Sequence, residues 1–226
     1  YKLLRFFSHR RDGLRVLTYH SVEKNYTGDE LWTIDEVNFE NQISFLKENY
    51  KVIAPNDIGS TNGSTVIVTF DDGLKQVNQN VRLIMEKYKT PFTVFIITDR
   101  INKEGYLTSE QLKDLDSCPF VTIGSHSKTH AHLDKCNLIQ LESEIRESKE
   151  VLENMLGHKI DLFSYPHGRS NQVVRDAVKK FGYSMAFGSR FDRNLPSQDH
   201  YDLNRNEIWV YDGLADLKSK LEGNWD

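Results

Sequence analysis

The sequence is short of cysteine, of proline, of long apolar runs and of surplus positive charge. No apolar stretch approaches the roughly 20 residues that a membrane-spanning helix needs, so no transmembrane segment is expected. The net charge of −4 argues against a nucleic-acid binder, which would carry a basic balance. Two cysteines, Cys118 and Cys136, are too few for a disulfide framework. They read as two unrelated thiols, with a single bridge as the other reading. No internal repeat, low-complexity tract or linker breaks the chain. What is there is ordinary for a soluble protein: 226 residues, 38% hydrophobic and 27% charged. That length can bury one substantial core, so a single domain over 1–226 is the simplest reading. Residues 1–11 are basic and include two phenylalanines, but lack the apolar core of a signal peptide. The chain does not begin with Met, which leaves room for a longer parent with an anchor or signal removed.

Strand and helix signals alternate along the chain. Strands are expected at 14–19, 51–54, 65–68, 92–97, 120–124, 162–164, 183–187 and 207–211, from β-branched and apolar runs. Residues 21–33 are polar and read as a loop, and 56–64 as a Gly/Ser/Asn turn region. Helical spacing marks 75–88 and 137–156, the second stopped by Gly157. It also marks 171–181, and helices containing Phe39-Ile43-Leu46 and Leu214-Leu217-Leu221. Thr33 or Asp35 could cap the Phe39 helix, and Thr108-x-x-Gln111 has the form of a capping box. Alternation of this kind predicts an α/β fold with seven or eight parallel strands, open or closed into a barrel. In either case functional residues gather where strands end.

Polar residues recur at those ends. Thr69-Phe70-Asp71-Asp72-Gly73 closes the 65–68 run. Neighbouring strand residues face opposite ways, so the two aspartates can share a site only if the backbone turns there. Two close carboxylates also repel unless a cation or proton intervenes. The plainer alternative is a loop with two solvated aspartates. His126 and His130 lie four apart after the 120–124 strand. Imidazole nitrogens with one carboxylate suit zinc and similar ions, although two idle loop histidines would look the same. His20 follows the first strand, and Tyr165-Pro166-His167-Gly168 follows the 162–164 strand. His132 reads as a surface or supporting residue. His9, His158 and His200 lie away from strand ends.

Taken together, Thr69-Phe70-Asp71-Asp72-Gly73, His126-Ser127-x-x-His130 and Phe163-Ser164-Tyr165-Pro166-His167-Gly168 resemble three motifs of the polysaccharide deacetylases, the NodB-homology or carbohydrate esterase 4 group. The likeness runs from about Val16 to Leu221. Tyr19-His20-Ser21-Val22 and Arg205-Asn206-Glu207-Ile208 are similar to the branch that acts on poly-N-acetylglucosamine of biofilms. The resemblance implies a distorted (β/α) barrel of about seven strands. It also implies one divalent metal on Asp72, His126 and His130, with zinc expected and cobalt or nickel fitting the same ligands. Asp71 would be the general base, the Tyr165 backbone N–H an oxyanion donor, and Pro166 and His167 part of the sugar site.

The sequence departs from the family pattern at three places, one of them His167, which stands where a Tyr is frequent. No Leu-x-His motif follows His200; the likeness to the biofilm-related branch implies His20, at the end of the first strand, as the general acid, with a buried histidine bonded to backbone as the plain alternative. Ser164 stands where much of the family has an Arg that orients the base, and Arg205 could supply that guanidinium. Trp32, Trp209 and Trp225 suit sugar faces but equally suit a core. The expected activity is removal of N-acetyl groups from an amino-sugar polymer or oligosaccharide. Such a substrate favours the cell surface or another extracytoplasmic site. An O-acetyl esterase, a carbohydrate-binding relative without turnover and a magnesium phosphatase are the alternatives. The last is disfavoured because it commonly needs Asp-x-Asp spacing.

Overall fold

The computed structural model describes residues 13–59 and 65–226. The basic start, His9 and the 60–64 part of the expected turn lie outside the described residues. The strand signals become one large parallel sheet and a small ribbon. In chain order the elements begin β1 (Leu14–Tyr19), β2 (Ser21–Glu23), β3 (Thr33–Asp35), α1 (Glu36–Asn49), β4 (Lys51–Val52), β5 (Thr65–Phe70), α2 (Arg82–Lys87) and β6 (Phe92–Ile96). They continue with α3 (Ser109–Asp116), β7 (Val121–Ser125), α4 (Leu138–Glu142), α5 (Ser148–Leu156), β8 (Leu162–Ser164), α6 (Gln172–Lys180), β9 (Met185–Phe187), β10 (Asn206–Glu207) and α7 (Leu214–Glu222).

The main sheet runs β10-β1-β5-β6-β7-β8-β9, all parallel, with β4 beside the start of β5. Every residue of β1, β5 and β6 is buried. Continuous apolar and β-branched runs are what a sheet covered on both faces requires. The two ends of the sheet approach each other through residues 203–207. The Leu203 N–H donates to Ala186 O and the Gly188 N–H to Leu203 O, while Asn206 and Glu207 pair with Leu17 and Thr18 of β1. This curls the sheet into a distorted (β/α) barrel. One consequence is that Arg205 lies between β9 and β1.

Several boundaries differ from expectation. The polar 21–33 segment contains β2 and leads into β3, which pair in parallel as a separate ribbon. Thr33 belongs to β3, so Asp35 alone caps α1, accepting from the Val37 and Asn38 N–H groups. The Thr108–Gln111 capping box forms in both directions. The helix expected over 75–88 has a π turn at Val77–Val81 before α2, and that over 137–156 has one at Ser143–Glu147 between α4 and α5. The second turn leaves Leu141, Ile145 and Leu152 buried and buries Glu144 as well. The strand expected at 207–211 stops at Glu207. There the Trp209 N–H donates to the Asp212 carboxylate and the Asp212 N–H to Trp209 O, which makes a turn instead. Cys118 and Cys136 are both free thiols. Among the described residues, no helix is long and apolar enough to cross a membrane.

Candidate active site

The turn after β5 brings both aspartates to one place. The Asp71 N–H still donates to Tyr19 O of β1, so Asp71 continues the sheet. Asp72 then adopts φ +72° and Gly73 φ +73°. Two left-handed residues in succession reverse the carboxylate that strand alternation would send away. A side chain at Gly73 would also press on Ile96, 3.0 Å from its Cβ position.

The loop after β7 supplies the histidines. His126 is buried, and its Nδ1 lies 2.8 Å from Ser164 O. A carbonyl accepts only, so Nδ1 carries the proton and Nε2 keeps its lone pair for the site. His130 sits at φ +68° after Ser127 at φ +62°, and its N–H donates to Ser127 Oγ. The loop is clamped by Glu144, whose carboxylate accepts from the Lys128 N–H, the Thr129 N–H and the Thr129 hydroxyl. Glu144 was not singled out from the sequence. Its signal would have been one acid on the inner stripe of an amphipathic helix.

Asp72, His126 and His130 form a three-residue cluster whose ligand atoms lie within 4.8 Å of one another. Asp72 Oδ1 is 3.6 Å from His126 Nε2 and 3.7 Å from His130 Nε2. Ligands on a tetrahedral ion with bonds near 2.1 Å lie roughly 3.4 Å apart, so these residues fit a zinc-like cation. The fixed His126 tautomer is the one that ligation requires.

Asp71 stands against this cluster, with Oδ2 3.7 Å from His126 Nε2. It is gripped by Arg205 through a two-pronged contact, Nη1 to Oδ1 at 2.8 Å and Nη2 to Oδ2 at 2.7 Å. Arg205 Nη2 also donates to Ser164 Oγ at 2.8 Å, and that hydroxyl donates to Asp71 Oδ2 at 3.2 Å. Arg205 Nε donates to Gly188 O. Thus Ser164, in the family's Arg position, joins a guanidinium arriving from the other side of the barrel. Arg205 is 1% exposed and Asp71 4%, so the pair is held out of water. Burial pushes the Asp71 carboxyl up, but Arg205, His126 and His20 outweigh it and hold it well below the usual carboxylate range. Asp72 goes the other way. Burial and the Asp71 charge push it up to about 6. Burial also pushes His126 down to about 3, against the pull of Asp71.

His20 lies close enough to feel both aspartates. Burial pushes its imidazole down while Asp71 and Asp72 pull it up. Its ring packs on Trp32 at 4.9 Å between centroids. His20 Nδ1 is buried without a hydrogen-bond partner, so the ring is not tied to backbone there. Pro166 is buried, and His167 is exposed at φ +58° with its ring 4.4 Å from that of His130. Tyr165 differs from expectation. Its N–H donates to Phe187 O at 3.0 Å as part of the sheet, and its hydroxyl donates to Tyr201 O. That amide is therefore not free to meet an oxyanion. Trp209 and Trp225 surround the Lys220 ammonium, leaving Trp32 as the tryptophan beside the site.

The parallel (β/α) barrel thus carries at its strand ends a carboxylate and two imidazoles that could hold a metal ion, beside a buried Asp–Arg pair. The family model for polysaccharide deacetylases matches residues 58–186. The chain belongs to the polysaccharide deacetylase family. It is 29% identical over 203 residues to the Bacillus subtilis protein YxkH, named as a polysaccharide deacetylase, covering 86% of this chain and 71% of that one. It is 22% identical over 250 residues to the poly-β-1,6-N-acetyl-D-glucosamine N-deacetylase of Staphylococcus aureus, covering 96% and 84%. The crystal structure of a polysaccharide deacetylase from Bacillus cereus superimposes with a TM-score of 0.83 at 26% identity, over 92% of this chain and 69% of that one.

Proposed function

We propose that this chain is one catalytic domain that removes N-acetyl groups from an amino-sugar polymer by metal-dependent hydrolysis. The Staphylococcus aureus relative makes poly-N-acetylglucosamine the first polymer to try. The observation that carries the reading is the Asp72–His126–His130 cluster with Asp71 locked beside it by Arg205. A bound divalent ion, zinc by its ligand set, would supply Lewis-acid polarisation of the acetyl carbonyl and acidify a water.

The chain's own residues do the rest. Asp71, held ionised beside Arg205, takes the proton from the attacking water. Arg205 and Ser164 keep that carboxylate in place and stabilise its charge. With the Tyr165 amide engaged, oxyanion stabilisation falls to the next turn of chain. His167 is the second residue of a 3₁₀ turn, where an N–H has no acceptor within the turn. His20 donates a proton to the departing amine. Pro166 and His167 border the sugar, and a polymer substrate favours the cell surface or another extracytoplasmic site for the reaction.

One observation favours a second reading. No carboxylate backs His20 Nδ1, so the acid is weakly supported, and an O-acetyl ester needs less help to leave. Acetate release from N-acetylglucosamine oligomers, by chelated protein and by protein reloaded with zinc or cobalt, tests the main reading. Metal-restored release is the expected result. Release from O-acetylated xylan alone would move the assignment to an esterase. In an N-deacetylase, His20→Ala loses amide hydrolysis and retains hydrolysis of an activated acetyl ester.

A further inference from the structure

The two histidines of the metal-ligand cluster are held in different ways. His126 is fixed through its ring, whose Nδ1 donates to Ser164 O. The His130 ring has no such anchor among the described residues. It lies against the rings of His126 and His167, 4.8 and 4.4 Å away between centroids. Where it points is therefore set by its backbone, and that backbone is unusual. Ser127 and His130 are both left-handed, at φ +62° and +68°. Residues with a Cβ keep that conformation only where their surroundings hold it.

The surroundings act from two sides. After β6, the Thr98 N–H donates to Ser127 O at 3.2 Å and the Asp99 N–H to Lys128 O at 2.9 Å. From the opposite side comes Glu144, buried in the π turn between α4 and α5. Its Oε2 accepts from the Lys128 N–H at 3.1 Å and the Thr129 N–H at 2.9 Å, and its Oε1 from the Thr129 hydroxyl at 2.6 Å. With the His130 N–H on Ser127 Oγ, three successive N–H groups leading into His130 are engaged, two of them by this one carboxylate. Four residues further on, the Ser148 hydroxyl accepts from Ser125 Oγ at 2.9 Å, on the residue before His126. The α4–α5 segment thus grips the chain just ahead of each histidine ligand.

We propose that Glu144 is a positioning residue for the metal site. It holds the 127–130 loop in the shape that brings His130 to the ion, and it acts through the loop alone. The inference rests on the metal-site reading above and goes beyond it by naming a residue outside the cluster that sets the cluster's affinity.

The test measures the zinc dissociation constant, by competition with a chelating dye, for the wild type, Glu144→Ala, Glu144→Gln and Thr129→Val. The Tm of each metal-free protein checks that it is folded. Gln keeps one carbonyl oxygen for the two N–H groups, and its amide can donate to the Thr129 hydroxyl, so the clamp survives without the charge. Glu144→Ala is expected to weaken zinc binding by about 10–100-fold, the usual worth of a residue that orients a ligand. Glu144→Gln is expected to bind as the wild type does. Thr129→Val loses one ordinary hydrogen bond at an exposed position and is expected to bind about fivefold more weakly. The visible absorption of cobalt-loaded Glu144→Ala is expected to differ from that of the wild type, because one imidazole is displaced. Wild-type zinc affinity in folded Glu144→Ala overturns the proposal. So does an equal loss in the Ala and Gln variants, which would make the charge the cause. Should Glu144→Ala not fold, unchanged affinity in Thr129→Val overturns it. A wild type that binds no zinc sinks the metal-site reading and this inference with it, whereas zinc held equally by all four proteins sinks this inference alone.

Discussion

At the scale of the residue, the site depends on how one carboxylate is made different from its neighbour. Asp71 and Asp72 are adjacent, yet Asp71 is tied by Arg205 and Ser164 while Asp72 faces two imidazoles. Asp71→Asn keeps the shape and removes the basicity. It is expected to lower kcat by about 10²–10⁴-fold, the usual worth of a general base, while zinc content per chain stays the same. Loss of zinc along with activity would make Asp71 a ligand instead. Arg205→Lys keeps the charge but not the planar fork, and the buried Asp71 then loses one of its two prongs. The expected outcome is a fall in kcat of about tenfold or more with little change in KM, read from initial rates on one oligomer. A change in KM alone would mean that Arg205 contacts substrate.

At the scale of the element, α7 supports the strand that carries this chemistry. Lys220 is fully buried. Its ammonium donates to Glu207 O of β10 and to Asp212, under the rings of Trp209 at 4.2 Å and Trp225 at 4.9 Å. The Asp212 carbonyl in turn accepts from the side chains of Asn38 and Gln42 on α1. Removing the cation leaves a buried carboxylate unpaired, so Lys220→Met is expected to cost about 3–5 kcal/mol in a denaturant titration. A cost below about 1 kcal/mol would mean that the pair is solvated in solution. Little of this was legible beforehand. Strands and helices with long apolar periods could be read, because burial of a stripe dictates spacing. β10 pairs through only two residues, and its role comes from contacts more than ten residues away. The same limit applies at the site. Strand ends, the Asp pair and the His pair stand out as local motifs. The Glu144 clamp, the Ser164 bridge and the engaged Tyr165 amide are properties of packing between distant segments.

At the scale of the whole molecule, the buried site couples stability to pH and to metal. Without metal, Asp72 and the histidines pull in opposite directions. Asp72 has its pKa raised from 3.8 to about 6, so its contribution is present below 3.8 and lost as pH rises through about 6. His126 is pushed down from 6.5 to about 3, and His20, His130 and His167 are lowered as well. Their neutral forms favour the fold above 6.5 and that contribution is lost as pH falls. Asp71, also lowered, acts the same way from 3.8 downward. The metal-free protein should therefore lose stability as pH falls below about 6.5, because one aspartate that gains cannot offset four histidines that lose, and lose it more steeply below about 4, where Asp71 joins them. A metal changes this balance, because it needs Asp72 ionised and both imidazoles neutral. Protons and metal then compete for the same three side chains. The rise in Tm produced by zinc should be large near neutral pH, shrink as pH falls through about 6 and be absent by about pH 4. Asp72→Asn should remove most of the rise throughout. A zinc effect that ignores pH, or that survives intact in Asp72→Asn, would mean that the ion binds elsewhere on the chain.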